Sequence, residues 1–288
     1  MLRVLRTAKS VLSQTFYLDG VATDATGSVV VTITRLDGTA VEGGNATGPD
    51  ANHKYTYQFQ GRDVVDWLVV TWAATVSGDA IVLTDSIEIV GGFFFSTTEG
   101  RAVDPALSSL TKFPESDMVD YRAQTESECE RICGQAFVPR FLRFTTNGTG
   151  QTALMSPVAL IRSIRSVKVG SATFAPADTA SVGYSDAGMI YLSQGWVPGV
   201  PSGVKNITIE LEYGWDAPPI DIVRAAKIRF KSIALQSRSP LPDRAERVVQ
   251  IDERGGSVVY GSPTTEKVGI PEVDATYSRY PSPRPGFG

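Results

Sequence analysis

The first third of the chain is written in short alternating segments. Val29, Val31 and Ile33 alternate with Val30, Thr32 and Thr34, and Asp37-Gly38 follows as a tight-turn signal. Tyr55, Tyr57 and Phe59 alternate with Thr56, Gln58 and Gln60. Trp67–Val76 reads as another strand, paired with Ile81–Ile89 through the link Ser77-Gly78-Asp79. Within that partner Ile81, Leu83, Ile87 and Ile89 share one face at period two. About seven strands at this spacing, with no helical pattern between them, predict an all-β domain over residues 1–92 of immunoglobulin-like sandwich architecture.

After residue 92 the pattern changes. Gly91–Pro105 carries Gly-Gly, Ser-Thr-Thr, Glu-Gly and Asp-Pro, so residues 93–111 are expected to be a linker. Phe93, Phe94 and Phe95 are too apolar for a free tether and are expected to dock one domain on the other or on a partner. A helix is predicted from Phe113-Pro114-Glu115-Ser116 to Cys133, ended by Gly134. Met118, Tyr121, Arg122, Thr125, Cys129, Ile132 and Cys133 trace its stripe, and Glu126, Glu128 and Glu130 are expected on its solvated side. Strands follow at Arg140–Thr145, Ile164–Phe174, Met189–Leu192 and Ile207–Tyr213.

Gly214-Trp215-Asp216-Ala217-Pro218-Pro219 breaks to a second helix, Pro219–Ser237. Its apolar face is Ile222, Val223, Ala226, Phe230, Ile233 and Ala234, and Arg224, Lys227, Lys231 and Arg238 form a basic one. Arg247–Ile251 and Ser257–Tyr260 read as short strands. Residues 112–260 are therefore expected to be an α+β domain with two main helices and a small sheet. Beyond Gly261 come Pro263, Pro271, Pro281, Pro283 and Pro285, which argue against a helix. Val268, Ile270, Val273, Tyr277 and Tyr280 still require a surface. Residues 261–288 are thus expected to be an extended arm that docks in a groove or adds a strand to a neighbour.

Composition removes function classes. The 288 residues carry a net charge of −4, with 42% hydrophobic residues, one histidine and two cysteines. No run approaches the roughly 18 apolar residues of a membrane span, and no signal peptide is read at the N-terminus. A single histidine, His53, cannot build a multi-histidine metal site, and it lies in a polar loop with no nucleophile elbow nearby. Cys129 and Cys133 share a helix face without two further ligands in view, so neither a metal nor a cofactor is expected. Asp50, Asp63, Asp66 and Asp79 are hydrolase candidates by residue type only, and no enzyme is expected. Residues 1–100 hold 6 basic and 11 acidic side chains, and residues 101–288 hold 21 and 20, an asymmetry that supports two units.

Three segments carry a resemblance. Tyr121–Arg140, a helix with Glu and Arg ending in Gly134-Gln135-Ala136-Phe137 before Pro139-Arg140, resembles the first helix of tailed-phage head–tail adaptor (connector, head-completion) proteins. Gly214-Trp215 and Pro218-Pro219 before Val223-Arg224-Ala225-Ala226 look like that family's later helix. Val268-Gly269-Ile270-Pro271-Glu272-Val273-Asp274-Ala275, with Arg279-Tyr280, is similar to its C-terminal tail. The resemblance spans about residues 112–281 and leaves the N-terminal β domain as an addition.

What the resemblance implies is a virion protein of the neck, assembled in the host cytoplasm. It would form a ring, usually of twelve copies, on the portal protein, extend the DNA exit channel and meet a stopper or tail-completion protein. Double-stranded DNA would only pass through. The residues implied in subunit or portal contact are Gly269, Ile270, Pro271, Glu272, Val273, Asp274, Tyr277 and Tyr280. Within a ring, Arg224, Lys227, Lys231 and Arg238 are candidates to meet Glu126, Glu128 and Glu130 of the next copy. The alternative from another class is a phage or cell-surface adhesion or decoration module using the N-terminal domain.

Overall fold

The computed structural model describes residues 2–148, 151–191, 203–236, 245–249, 257–260 and 267–283. The N-terminal strands are β1 (Leu2–Leu5), β2 (Ser10–Thr15), β3 (Tyr17–Leu18), β4 (Val21–Ala22), β5 (Val30–Arg35), β6 (Ala40–Asn45), β7 (Lys54–Phe59), β8 (Asp66–Val76) and β9 (Asp79–Val90). They form a five-stranded sheet in the order β1-β9-β8-β5-β6, with β2 paired to β7 and β3 to β4. This half is all-β, as its alternation predicts.

The central strand β8 shows why. Its even-numbered residues Asp66, Leu68, Val70, Trp72, Ala74 and Val76 are all buried, and the odd-numbered ones between them are half-buried. A period-two sequence puts one row on the core side at every step. The turn Ser77-Gly78 has positive φ at both residues, 52° and 97°, the conformation whose twist matches two antiparallel strands. Leu12, Phe16, Tyr55 and Phe59 pack against Val31, Ile33, Leu68, Val70 and Ile87, so the β2–β7 pair and the large sheet share one core. β1 pairs with β9 in parallel, from Leu2 opposite Ile87 to Leu5 opposite Val90.

The second half begins with α1 (Thr97–Arg101), a 3-10 turn at Pro105–Ser108 and α2 (Glu115–Cys133). It continues through β10 (Arg140–Gly148), β11 (Ala153–Met155), β12 (Ile161–Val169), β13 (Ala172–Thr173), α3 (Pro176–Ala180), β14 (Gly183–Tyr184), β15 (Met189–Tyr191) and β16 (Gly203–Tyr213). The last elements are α4 (Ile220–Gln236), β17 (Ala245–Val249), β18 (Ser257–Tyr260) and α5 (Pro271–Tyr277). A four-stranded sheet runs β10-β16-β12-β13, and β11-β15-β14 form a smaller one. The predicted strand Ile164–Phe174 is two strands, because Gly170 turns the chain at φ 58°.

The helices α2, α4 and α5 close a separate core. Met118, Cys129, Cys133, Phe137, Ile222, Ala226, Phe230, Val268, Val273 and Tyr277 are buried in it together. Each large side chain so buried contributes about 1.5–3 kcal/mol of transfer free energy. Gly134 ends α2 in the left-handed region at φ 65°, as predicted.

Residues 93–111 pack as their phenylalanines suggest: Phe94, Phe95 and Leu107 are buried in the helical core, and Ser96 opens α1 with a capping box to Glu99. Gly91 serves close approach instead of flexibility, since a Cβ there would lie 2.5 Å from Pro139 Cβ. One expectation is corrected here, that of the tail. Pro271 does not exclude a helix but starts one, at a position where its missing N–H is not needed. Val273 and Tyr277 then bury against α2 and α4 of the same chain. Pro263 and Pro285 lie outside the described residues, as do Leu192, Ser237 and Arg238.

Candidate functional site

The three segments singled out in the sequence meet at one place. Gln135, just past α2, donates from Nε2 to the Tyr280 carbonyl at 3.0 Å and accepts from Trp215 Nε1 at 3.1 Å. Trp215 N donates to the Ala136 carbonyl at 3.1 Å. The Phe137 ring packs edge-on against Tyr280, with centroids 5.7 Å apart, and Trp215 lies 6.2 Å from Phe137. Tyr280 Oη donates to Asp221 Oδ1 at 2.7 Å, at the start of α4. Asp274 accepts from the backbone N–H groups of Val268 and Gly269 at 2.7 and 3.0 Å, which fixes the entry into α5.

The tail residues divide accordingly. Val273 and Tyr277 are buried, Ile270 and Tyr280 are half-buried, and Gly269, Pro271 and Glu272 are exposed. The arm drawn from the sequence as reaching for a neighbour is, over residues 268–280, folded on its own helices. Only its outer side is left for a partner.

The acidic residues of α2 require a larger correction. Glu126, Glu128 and Glu130 are not solvated, because each faces an arginine of its own chain. Glu126 accepts from Phe94 N at 2.8 Å and from Arg3 Nη1 at 3.3 Å. Glu128 holds Arg229 at 2.7 Å. Glu130 pairs with Arg140, which also pairs with Glu88 of β9. Arg3 of β1 donates to Glu88 at 3.0 Å and to Ser127 Oγ at 2.8 Å. The result is a buried network of Arg3, Arg140, Glu88, Glu126 and Glu130 that joins the N-terminal sheet to α2. These carboxylates are paired within their own chain.

The basic face of α4 is committed as well. Lys227 reaches Glu99 at 3.5 Å, Lys231 reaches Asp104 at 2.7 Å, and Arg224 reaches Glu272 at 3.3 Å. The first two staple α1 and the loop after it onto α4. Arg224 and Glu272 are both well exposed, so their pair is weak and easily exchanged.

The residues missed in sequence were Arg3, Arg140 and Arg229. Arg229 stands at the helical spacing of the buried positions Ile222, Ala225 and Ile233, which was a readable signal. A charge on an apolar stripe must find a buried partner. Glu126, four residues from Arg122 and three from Cys129, carried the same signal.

Burial pushes Glu130 up to about 7, with Glu126 and Glu88 adding to the rise and Arg140 and Arg3 opposing it. Burial likewise raises Glu126. A carboxyl whose folded pKa exceeds its unfolded value near 4.5 binds its proton more tightly when folded. Its contribution to stability is therefore present at low pH and lost as pH climbs through about 7. Urea midpoints are expected to fall between pH 5 and pH 8, and Glu130→Gln should flatten that fall. A midpoint that rises over this range in the parent chain would contradict the assignment.

The four aspartates singled out by residue type lie apart from one another. Asp66 is buried against Arg35 at 3.2 Å, while Asp50 and Asp63 are exposed in separate loops and Asp79 is exposed at the start of β9. Asp50 is held below the usual range by the backbone N–H groups of Lys54 and Asn52. His53 Nδ1 lies 2.8 Å from Asp24 at the surface. Among the described residues, no group of three or more His, Cys, Asp or Glu is placed to hold a metal ion. No helix among them is long and apolar enough to cross a membrane.

Comparison with solved structures gives likenesses to chains of gene transfer agent particles. One is to a chain in the neck of an empty gene transfer agent particle, computed with C6 symmetry. Another is to a chain in the virion of a native gene transfer agent particle. Both show a TM-score of 0.44 and 14% identity, covering 67% of this chain and 92% of the other. No protein-family model matches the chain, and no curated protein matches it.

Proposed function

We propose that this chain is a structural neck protein of a tailed phage or phage-like particle, a head–tail adaptor with an added N-terminal domain. The carrying observation is convergence. Three segments that resemble the adaptor family are separated by residues 141–213 and 227–267, yet they assemble into one core through Gln135, Phe137, Trp215, Asp221, Val273, Tyr277 and Tyr280. Chance matches scattered along a sequence have no reason to meet in space.

In this reading copies form a ring on the portal, in the twelve-fold arrangement the resemblance implies, and extend the DNA exit channel. The exposed side of α5, with Gly269, Pro271 and Glu272, and the neighbouring Arg224 contact the portal or the next copy. The tail-side rim receives the stopper or tail-completion protein. The N-terminal domain, read as an immunoglobulin-like sandwich, rides as a rigid attachment, because the buried Arg3–Glu88–Arg140 network ties it to α2. No chemical step is involved.

The test is quantitative mass spectrometry of purified particles with the copy number set against the portal protein. A ratio near one to one is expected. Absence from the particle overturns the proposal, and so does a ratio many times the portal's, which would indicate a capsid decoration or a tube component.

A further inference from the structure

Away from the adaptor core, a cleft of about 450 Å³ opens where the N-terminal domain faces the four-stranded sheet. Arg35, Asp37, Arg62 and Asp66 line it from one side, and Arg143, Arg165, Lys168 and Glu210 from the other. Ligand sites favour such junctions between domains.

Its charges do not cancel. Arg35 is answered by Asp66 at 3.2 Å and Glu210 at 3.3 Å. Arg165 is answered by Glu212 at 3.1 Å. Arg143 has Glu210 at 3.6 Å and Asp37 nearby, a carboxyl it shares with Arg35, and its buried Nη1 makes no hydrogen bond among the described residues. Arg62 and Lys168 make no ion pair among the described residues, and the buried Nε of Arg62 has no hydrogen-bond partner there. Two unanswered cations therefore face one cleft from opposite domains, beside the hydroxyls of Ser166, Thr173 and Thr208. Like charges gathered without a counter-ion raise the energy of the site until an anion fills it.

We infer that this junction cleft is a binding site for a phosphate oxyanion, held between Arg62 of the N-terminal domain and Arg143 and Lys168 of the sheet. Guanidinium groups and hydroxyls suit a ligand with several acceptor oxygens spread in three dimensions. A single carboxylate presents two oxygens in one plane and would leave donors on one wall unused. The oxyanion comes either free or as the phosphodiester of a nucleic acid strand.

The experiment is isothermal titration of the full chain at low chloride with inorganic phosphate up to about 10 mM, a range that reaches weak sites. Parallel titrations use a short mixed-sequence DNA duplex and a glutamate-rich peptide. The variants are Arg62→Ala with Lys168→Ala together, and Lys54→Ala as an exposed charge loss outside the cleft. Because neither cleft residue carries an ion pair among the described residues, thermal unfolding of the double variant should match the parent.

One phosphate site is expected, with its affinity lowered about tenfold or more in the double variant and unchanged in Lys54→Ala. DNA that competes with phosphate identifies the phosphodiester source. Phosphate binding without DNA competition identifies the free ion. No phosphate binding, equal binding by the double variant, or binding of the peptide alone overturns the inference.

Discussion

Replacing Arg140 with Met is expected to destabilise the chain by about 3–5 kcal/mol, read as a lowered midpoint in urea unfolding. Arg140 is 8% exposed at its side chain and lies between Glu88, at 3%, and Glu130, at 12%. Removing the guanidinium leaves both carboxylates to Arg3 alone, which already serves Glu126. The cost arises mainly from the acids left behind, not from the lost attraction. The triple variant Arg140→Met, Glu88→Gln, Glu130→Gln should therefore recover part of the loss. If the single variant changed the midpoint no more than a surface substitution does, the network would have no stabilising role.

Tyr277 gives the second large effect. Its ring is 2% exposed, inside the helical core beside Cys129 and Cys133. Tyr277→Ala is expected to cost about 3–5 kcal/mol, by analogy with the deletion of other large aromatic side chains from a core. Tyr277→Phe should cost far less, because the neighbours of the hydroxyl in this core are the thiols of Cys129 and Cys133, which hydrogen-bond only weakly. Hydrogen exchange adds location. In Tyr277→Ala the amides of α5 and of the facing turns of α2 and α4 should lose protection first, while β8 and β9 keep theirs. Uniform loss over both halves would show that the helical core does not open on its own.

These two sites also show what sequence could and could not convey. Period-two alternation marked β5, β7, β8 and β9 because each puts one face in a core, and that signal is local. α2 and α4 were legible for the same reason at helical period, down to Gly134 as the stop. The partners of the charged residues were not legible. Arg3 and Glu126 are 123 positions apart, and nothing in the order of residues says that they meet. Acids on α2 looked solvated because that is where acids usually are, and only the packing of the N-terminal sheet onto α2 buries them. The tail failed differently. Five prolines suggested an extended arm, yet Pro271 occupies the one helical position where proline costs nothing. Val273 and Tyr277, four apart, were the counter-signal.

The parallel pairing of β1 with β9 bears on how the chain is made. Leu2 lies opposite Ile87, so β1 has no neighbour in its sheet until 85 more residues have been made. At synthesis rates of about 5–20 residues per second, that wait is roughly 4–17 s. Arg3 waits longer still, since Glu126 and Arg140 belong to a later unit. Through that interval the apolar side of β1 and the open edge of β9 must avoid other partners. Closure of the N-terminal sheet therefore comes first, and burial of the charges that join the two halves is a separate, later step in biogenesis.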